Sequence, residues 1–264
     1  MKSHRLFPLA VLMAGAVTPL LAAPALSVAA AANLVYALDE LNAAFRREAP
    51  EVVLTATTGA SGSLVAQIGH GAPFDVFLSA DLDYPQALIK AGNAVPESLT
   101  TFAVGRLVLW TTRPGADISS LAAAVADPAI RRLAIAQTST APYGRAAREA
   151  LEREGLWIAI QPRLVTGENI TQTAQFVETG NADAGLVALS LVLSPRLNDR
   201  GRWTEVPARL HAPLDQGVVI TKRGAANPAA TRYLAFLRGP EARKILERFG
   251  YGVPASPQPD GRAP

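Results

Sequence analysis

The chain has 264 residues, a formal net charge of +3 and no cysteine. The lack of cysteine excludes disulfides, thiol chemistry and a lipid attached through a cysteine. The basic residues stand beside acidic ones, as Arg46 and Arg47 do next to Glu48, which is typical of a solvated surface and argues against a nucleic-acid partner.

The N-terminal segment is first charged, then apolar, then small. Lys2 and Arg5 precede an apolar run at residues 6–21, and small residues follow up to Ala25. This order is that of a secretory signal, and the run is shorter than the roughly 20 apolar residues that a membrane span needs. We therefore predict that residues 1–25 are a signal peptide, cleaved near Ala25, and that the mature chain is free in an exported compartment such as a periplasm.

Beyond this segment, short runs rich in Val, Leu and Ala alternate with stretches of helical period. This pattern predicts the α/β class, with mostly parallel sheets covered by helices. One helix face is marked by Leu34, Leu38, Leu41 and Phe45, at spacings of four, three and four residues. The predicted strands are residues 26–31, 52–57, 74–79, 102–111, 133–136, a strand near 164, and 184–189. The predicted helices are the one that begins at Asn33 and residues 63–68, 84–91, 144–153, 169–178, 229–237 and 241–249.

We place the crossing of the chain into a second lobe at the strand-like stretch of residues 102–111, and the return near residues 212–221. Lobe 1 then comprises residues 26–103 and 213–264, and lobe 2 comprises residues 104–212. A mature chain of roughly 240 residues is long enough for two lobes of ordinary size. The last two helices are expected to pack on lobe 1.

Four turns share one design, in which a strand ends, a few small or polar residues follow, and a helix begins. The first turn of a helix presents unpaired N–H groups with a partial positive charge, so each turn is a candidate to hold an anion. Four converging helix starts would neutralise a dianion without a buried Lys or Arg. Asn33, Ser61 and Tyr143 are candidate side-chain donors. The turns are residues 30–33 (AAAN), 59–63 (GASGS), 138–144 (TSTAPYG) and 166–170 (TGENI).

Such turns occur in every α/β protein, and a Ser or Asn in them commonly serves only as a cap. Two observations favour a shared site: the turns carry no Lys or Arg before the helix starts, and two of them fall in each predicted lobe. A cleft between lobes is where such folds bind ligands. Glu168 is interpreted as a charge that complements its helix start. Asp75, Asp81 and Asp83 match no metal-binding loop, so no metal is assigned to the protein itself.

Four segments make the sequence resemble the periplasmic molybdate-binding proteins of ATP-driven uptake systems. The resemblance implies a two-lobed periplasmic binding protein of type II, whose α/β lobes are joined by two hinge crossings and close on the ligand. It also implies no cofactor, delivery of the ligand to the permease and ATPase of an ABC transporter, and most simply a monomer. The segments are AAANL at residues 30–34, GASGSLVAQIGHGAPFDVFLSAD at 59–81, APYGRAAREAL at 141–151 and YLAFLRGPEARKILERFGYG at 233–252.

The resemblance also implies a set of ligand-binding residues. In that family the residue after the alanine run and the second serine of the next turn bind the oxyanion, which corresponds here to Asn33 and Ser61. The residue between Pro and Gly of the third turn, Tyr143, and a backbone N–H of the fourth turn, Ile170, complete the set. Some members have Tyr where this chain has Ala188, so we expect Tyr143 to supply the phenol that Ala188 lacks.

The chemistry of the turns narrows the choice of anion. A protonated oxyanion such as hydrogen phosphate is best recognised by a carboxylate that accepts its proton, and apart from Glu168 these turns offer only donors. Fully deprotonated dianions fit such donors better. Together with the resemblance, this favours molybdate or tungstate and leaves sulfate as the alternative, since the three differ mainly in size.

Two other functions have weaker support. An enzyme with Ser61 as its nucleophile has Ser63 where a hydrolase elbow has Gly, and only His70 and His211 lie beyond the signal segment as candidate bases. A binding protein for amino acids or sugars usually needs an Arg, a carboxylate or aromatic platforms, and the four turns offer only Tyr143. We therefore expect a binding protein without catalytic activity.

Overall fold

The computed structural model describes residues 24–252, so most of the predicted signal peptide and the tail from residue 253 lie outside the described residues. Within residues 24–252, no helix is long and apolar enough to cross a membrane. The strands are β1 (Ala25–Ala31), β2 (Val53–Gly59), β3 (Val76–Leu78), β4 (Thr100–Val104), β5 (Leu107–Thr111), β6 (Leu133–Ala136), β7 (Leu164–Gly167), β8 (Ala184–Ala188), β9 (Arg202–Glu205) and β10 (Asp215–Ile220). The helices are α1 (Val35–Glu48), α2 (Ser61–Gly69), α3 (Asp83–Lys90), α4 (Leu121–Ala126), α5 (Pro142–Arg153), α6 (Trp157–Ile160), α7 (Ile170–Glu178), α8 (Leu189–Val192), α9 (Pro228–Leu237) and α10 (Pro240–Arg248).

The strands form two five-stranded sheets, ordered β2-β1-β3-β10-β4 and β7-β6-β8-β5-β9. In the first sheet β1 runs parallel to β2 and β3, and in the second β6 runs parallel to β7 and β8. The strands next to the crossings, β10 and β5, pair antiparallel with both of their neighbours. The predicted α/β class is confirmed, with sheets that are parallel where they carry the four turns and antiparallel where the chain changes sheet.

The chain passes between the sheets twice. Residues 105–106 connect β4 to β5, and residues 206–214 connect β9 to β10. The two connections touch, because the Gly105 N–H donates to the Leu214 carbonyl at 2.8 Å. Gly252 pairs with the end of β4, so the end of the described chain lies beside the same hinge.

Helices cover both faces of the lobe 1 sheet. Successive side chains of a strand point to opposite faces, so β1 contributes apolar residues to the packing on each face. Leu26, Val28 and Ala30 of β1 pack in one cluster with α1, α9 and α10. Ala29 faces the opposite cluster, built with α2 and α3. The predicted packing of the last two helices on this lobe is therefore confirmed.

The sequence pattern missed several short elements of lobe 2. Helices α6 and α8 are four residues long and α4 is six, too short to display a helical period. Strand β9 lies at the edge of its sheet with mostly exposed side chains, so it lacks the alternation that marks a strand. The single stretch predicted at residues 102–111 is divided into β4 and β5, one in each sheet.

Candidate functional site

The four predicted turns meet at one cavity between the lobes. Asn33 and Ser61 of lobe 1 line it together with Tyr143 and Ile170 of lobe 2. The space left between the lining residues is small in this closed arrangement of the lobes. No charged side chain is among the lining residues. The others are Ala31, Ala32, Gly59, Ala60, Ala80, Ala141, Pro142 and Asn169.

Three of the four helix starts follow an alanine that cannot cap them. Ala31, Ala60 and Ala141 stand at the N-cap positions of the 3-10 turn that leads into α1, of α2 and of α5, and none makes a side-chain cap hydrogen bond. Away from the cavity, Ser120 caps α4 and Asn227 caps α9. A capping side chain usually stabilises a helix by about 0.5–2 kcal/mol. These helix starts therefore lack the stability of a side-chain cap, and no capping side chain covers their first N–H groups at the cavity.

The fourth helix, α7, has a side-chain cap, but this cap does not bond to the N–H group of Ile170, the predicted donor. The Asn169 Oδ1 accepts from the N–H groups of Thr171 and Gln172, each at 3.0 Å. The first helical residue, Ile170, is not served by this cap. Its N–H group therefore remains as the donor of this turn that faces the cavity lining.

Ser61 is buried, and its hydroxyl is already oriented. Its Oγ accepts a hydrogen bond from the Ala80 N–H at 3.1 Å, so the hydroxyl hydrogen remains free to donate. Neither histidine lies beside this hydroxyl among the lining residues. His70 is exposed at the end of α2, with Nδ1 2.7 Å from the Ala66 carbonyl, and His211 is bonded to the Ala212 carbonyl.

Asn33 is placed at the cavity, but its amide hydrogens are used by the protein. Its Nδ2 donates to Gln216 Oε1 at 2.7 Å and to the Tyr251 hydroxyl at 2.8 Å. Its Oδ1 is buried without a hydrogen-bond partner among the described residues. The side-chain donor predicted here is thus turned away, and the N–H groups of the helix start are what this turn presents to an anion.

The Tyr143 side chain enters the site from lobe 2. It is 1% exposed, and its hydroxyl has no hydrogen-bond partner among the described residues. Burial, reinforced by the nearby Tyr251 and opposed in part by the Asn33 side chain, raises the pKa of this hydroxyl well above its ordinary value, so the phenol stays protonated and can donate. Ala188 is the position at which some members of the resembled family carry a tyrosine. It is buried at the end of β8 and does not line the cavity.

Direct hydrogen bonds join the lobes around the cavity. The Gly62 N–H donates to the Thr140 carbonyl at 2.9 Å, and the Thr171 hydroxyl donates to the Ala32 carbonyl at 2.8 Å. The Ser190 hydroxyl donates to the Asn33 carbonyl at 2.8 Å. The two lobes are therefore in contact, as in the closed state of a hinged clamp.

An ion pair spans the mouth of the cleft. Arg145 of α5 contacts Asp81 Oδ2 at 2.7 Å and Asp83 Oδ2 at 3.2 Å, and both acids belong to lobe 1. The Asp81 side chain is 5% exposed, whereas that of Arg145 is 38% exposed and partly screened by solvent.

Replacing Arg145 with alanine is expected to weaken ligand binding, because the closed state loses this contact and Asp81 is left without its cation. With solvent screening, we expect about a fivefold higher Kd, or ~1 kcal/mol, with most of the change in the dissociation rate. Titration calorimetry and stopped-flow kinetics measure both. Arg148→Ala is the matched control, because Arg148 pairs with Glu152 on the same helix and within the same lobe. An equal effect of the two variants would contradict a role in closure.

Comparison with known proteins places nearly the whole described chain in one group. Residues 26–252 match the family described as bacterial extracellular solute-binding protein. The chain is 40% identical over 226 residues to the molybdate-binding protein ModA of Azotobacter vinelandii, covering 86% of this chain and 89% of that protein. It is 41% identical over 223 residues to the molybdate-binding protein ModA of Rhodobacter capsulatus, with coverage of 84% and 86%. The solved Azotobacter vinelandii periplasmic molybdate-binding protein aligns with a TM-score of 0.82 at 33% identity, covering 87% of this chain and 100% of that one.

Proposed function

Because this chain belongs to the bacterial extracellular solute-binding proteins, we propose that it binds molybdate or tungstate outside the cytoplasm for delivery to an ABC transporter. The fold predicted from the sequence, that of a two-lobed periplasmic binding protein of type II, is confirmed. The observation that carries the proposal is the cavity itself. It gathers four helix starts, three of which have no side-chain cap, and it has no charged side chain in its lining.

Such a lining suits a fully deprotonated dianion. The N–H groups and hydroxyls donate toward the ligand, and the helix dipoles supply positive potential without a counter-ion. No carboxylate lines the cavity to accept the proton of hydrogen phosphate. Two relatives at 40% and 41% identity are named as molybdate-binding proteins, which favours molybdate over sulfate.

The remaining features of the proposal follow from this role. The protein binds its ligand as a monomer without a cofactor or catalysis, and its partners are the permease and the ATPase of the transporter. Asn33, Ser61, Tyr143 and Ile170 hold the oxyanion, with Tyr143 in place of the phenol that other members carry at position 188. Residues 1–25 are a signal peptide that directs export of the chain. Lobe 1 comprises residues 26–103 and 213–264, and lobe 2 comprises residues 104–212. Its location is a periplasm.

The proposal is tested by the melting temperature of the mature protein with molybdate, tungstate, sulfate, phosphate, amino acids and sugars at one concentration. A ligand at a hundred times its Kd stabilises by about 2.7 kcal/mol. We expect a rise with molybdate and tungstate only. A rise confined to sulfate would change the substrate, and a response only to organic solutes would overturn the anion site.

Replacing Ser61 with alanine is expected to weaken molybdate binding by about 1–3 kcal/mol, because a hydrogen bond to a charged ligand is lost. Titration calorimetry measures the change in Kd. Ser63→Ala is the control, since Ser63 lies on the same helix with an exposed side chain outside the cavity lining. Unchanged affinity in Ser61→Ala would remove Ser61 from the ligand set.

A further inference from the structure

A buried glutamine at the start of β10, next to the second hinge connection, is held in a single orientation. Gln216 is 0% exposed and stands at a β-bulge of β10, where the register shifts between Gln216 and Gly217. Bulges commonly redirect a side chain beside a functional site. Its Nε2 donates to the carbonyls of Leu214 at 2.8 Å and Ala80 at 3.2 Å. Since carbonyls only accept, the NH₂ end of this amide must face them, and Oε1 must face Asn33.

This orientation determines that of Asn33. Because Gln216 presents an acceptor, Asn33 must present its NH₂ group, and the bond between them is 2.7 Å long. The second amide hydrogen of Asn33 goes to the Tyr251 hydroxyl at 2.8 Å. That hydroxyl also lies 3.0 Å from the Asn33 carbonyl and 3.1 Å from Ser190 Oγ. Hydrogen bonds therefore hold Asn33 through both its side chain and its backbone carbonyl.

The same network reaches the second turn. The Ala80 carbonyl accepts from Gln216, while the Ala80 N–H donates to Ser61 Oγ. One buried side chain thus contacts both Asn33 and the segment that orients the Ser61 hydroxyl. Both of these contacts lie within lobe 1, whereas Ser190 of lobe 2 contacts the Tyr251 hydroxyl and the Asn33 carbonyl.

We propose that Gln216 and Tyr251, here termed the amide bracket, are positioning residues of the oxyanion site. They bind both amide hydrogens of Asn33 and so fix its helix start, which presents backbone N–H groups to the ligand. Tyr251 acts through Asn33 and does not touch the anion. This inference rests on the proposed function and specifies how the first turn of the site is held.

The affinity test uses Tyr251→Phe, Asn33→Ala and the double variant, titrated with molybdate. We expect each single variant to raise Kd roughly tenfold, the scale of one lost hydrogen bond. If Tyr251 acts through Asn33, the double variant will be no weaker than Asn33→Ala within about twofold, because the two changes remove one shared interaction. Full additivity of the two effects, or wild-type affinity in Tyr251→Phe, would overturn the positioning role.

Tyr233→Phe is the matched control. Tyr233 is also buried in lobe 1 and donates to the side chain of an asparagine, Asn42, at 2.8 Å. Burial raises the pKa of both tyrosine hydroxyls, so both are protonated donors. A loss of one buried hydroxyl that acted only through stability would lower the melting temperature in both variants without changing Kd in either. That result also overturns the bracket.

A second measurement needs no ligand. In ¹⁵N-labelled protein, both Asn33 side-chain NH₂ hydrogens should exchange slowly with water, and their resonances should move in Tyr251→Phe and in Gln216→Met but not in Tyr233→Phe. Fast exchange in the wild-type protein overturns the bracket, even if Tyr251→Phe folds poorly. Failure of the wild-type protein to bind any oxyanion, with these hydrogens protected, would instead overturn the proposed function and leave the bracket as a structural feature.

Discussion

Replacing Ala141 with aspartate is expected to abolish detectable molybdate binding while the ligand-free protein keeps its stability or gains some. Ala141 precedes α5 with extended backbone angles (φ −111°, ψ 119°), the conformation of an N-cap residue. An aspartate there would accept from the N–H groups of Tyr143 and Gly144, which adds about 0.5–2 kcal/mol of helix stability. The same bonds remove those donors from the cavity.

The added carboxylate would also repel the ligand. Unit charges 4 Å apart near a protein surface interact by about 4 kcal/mol, so a dianion should bind at least roughly a thousandfold more weakly. Calorimetry gives the affinity, and thermal unfolding without ligand gives the stability. Ala141→Ser, which caps without a charge, should fall between the wild type and Ala141→Asp.

Ser120→Asp controls for the charge, since it keeps a capping side chain at the start of α4 and Ser120 does not line the cavity. Its affinity should equal that of the wild type. If Ala141→Asp still bound molybdate tightly, the start of α5 would not be part of the site. The alanines at three helix starts would then be without a functional explanation.

The sequence predicted the parts of the site that have a local signature. A strand followed by small residues and a helix is visible in a few consecutive residues, and the four turns chosen on that basis all line one cavity. The alternation of strands and helices likewise predicted the α/β class. Local pattern was enough because parallel strands bring their following turns to the same edge of a sheet.

The sequence did not reveal the groups that hold these turns. Gln216 and Tyr251 lie 183 and 218 residues from Asn33, and no periodicity reports contacts over such distances. Asn33 was predicted as a side-chain donor because asparagine can donate, yet long-range partners use both of its hydrogens. Gln216 stands between Asp215 and Gly217, before the apolar residues of β10, so nothing in its local pattern marked it as a buried residue.

Replacing Gly105 with alanine is expected to weaken molybdate binding by about 3 kcal/mol, roughly a hundredfold, the upper range for a hydrogen bond to a charged group. Gly105 lies in the first hinge connection, and a Cβ there would overlap the Tyr143 hydroxyl and come within 2.9 Å of Gln216 Nε2. The phenol must move from the site, and overpacking should cost about 1–3 kcal/mol of stability. Gly69→Ala is the control, because a Cβ at Gly69 meets no atom within 4 Å.

The double variant Gly105→Ala with Tyr143→Phe separates the two effects. Without the hydroxyl oxygen, the main overlap at Gly105 disappears, although the ring carbon that carried it would still lie 3.0 Å from the new Cβ. We therefore expect the melting temperature to recover by a few degrees, at about 2–4 °C per kcal/mol for a chain of this size, while affinity stays low. Recovery of stability without recovery of binding would mean that Gly105 is needed because it leaves room for the Tyr143 hydroxyl. No recovery would mean that the hinge itself, or Gln216, tolerates no side chain at this position.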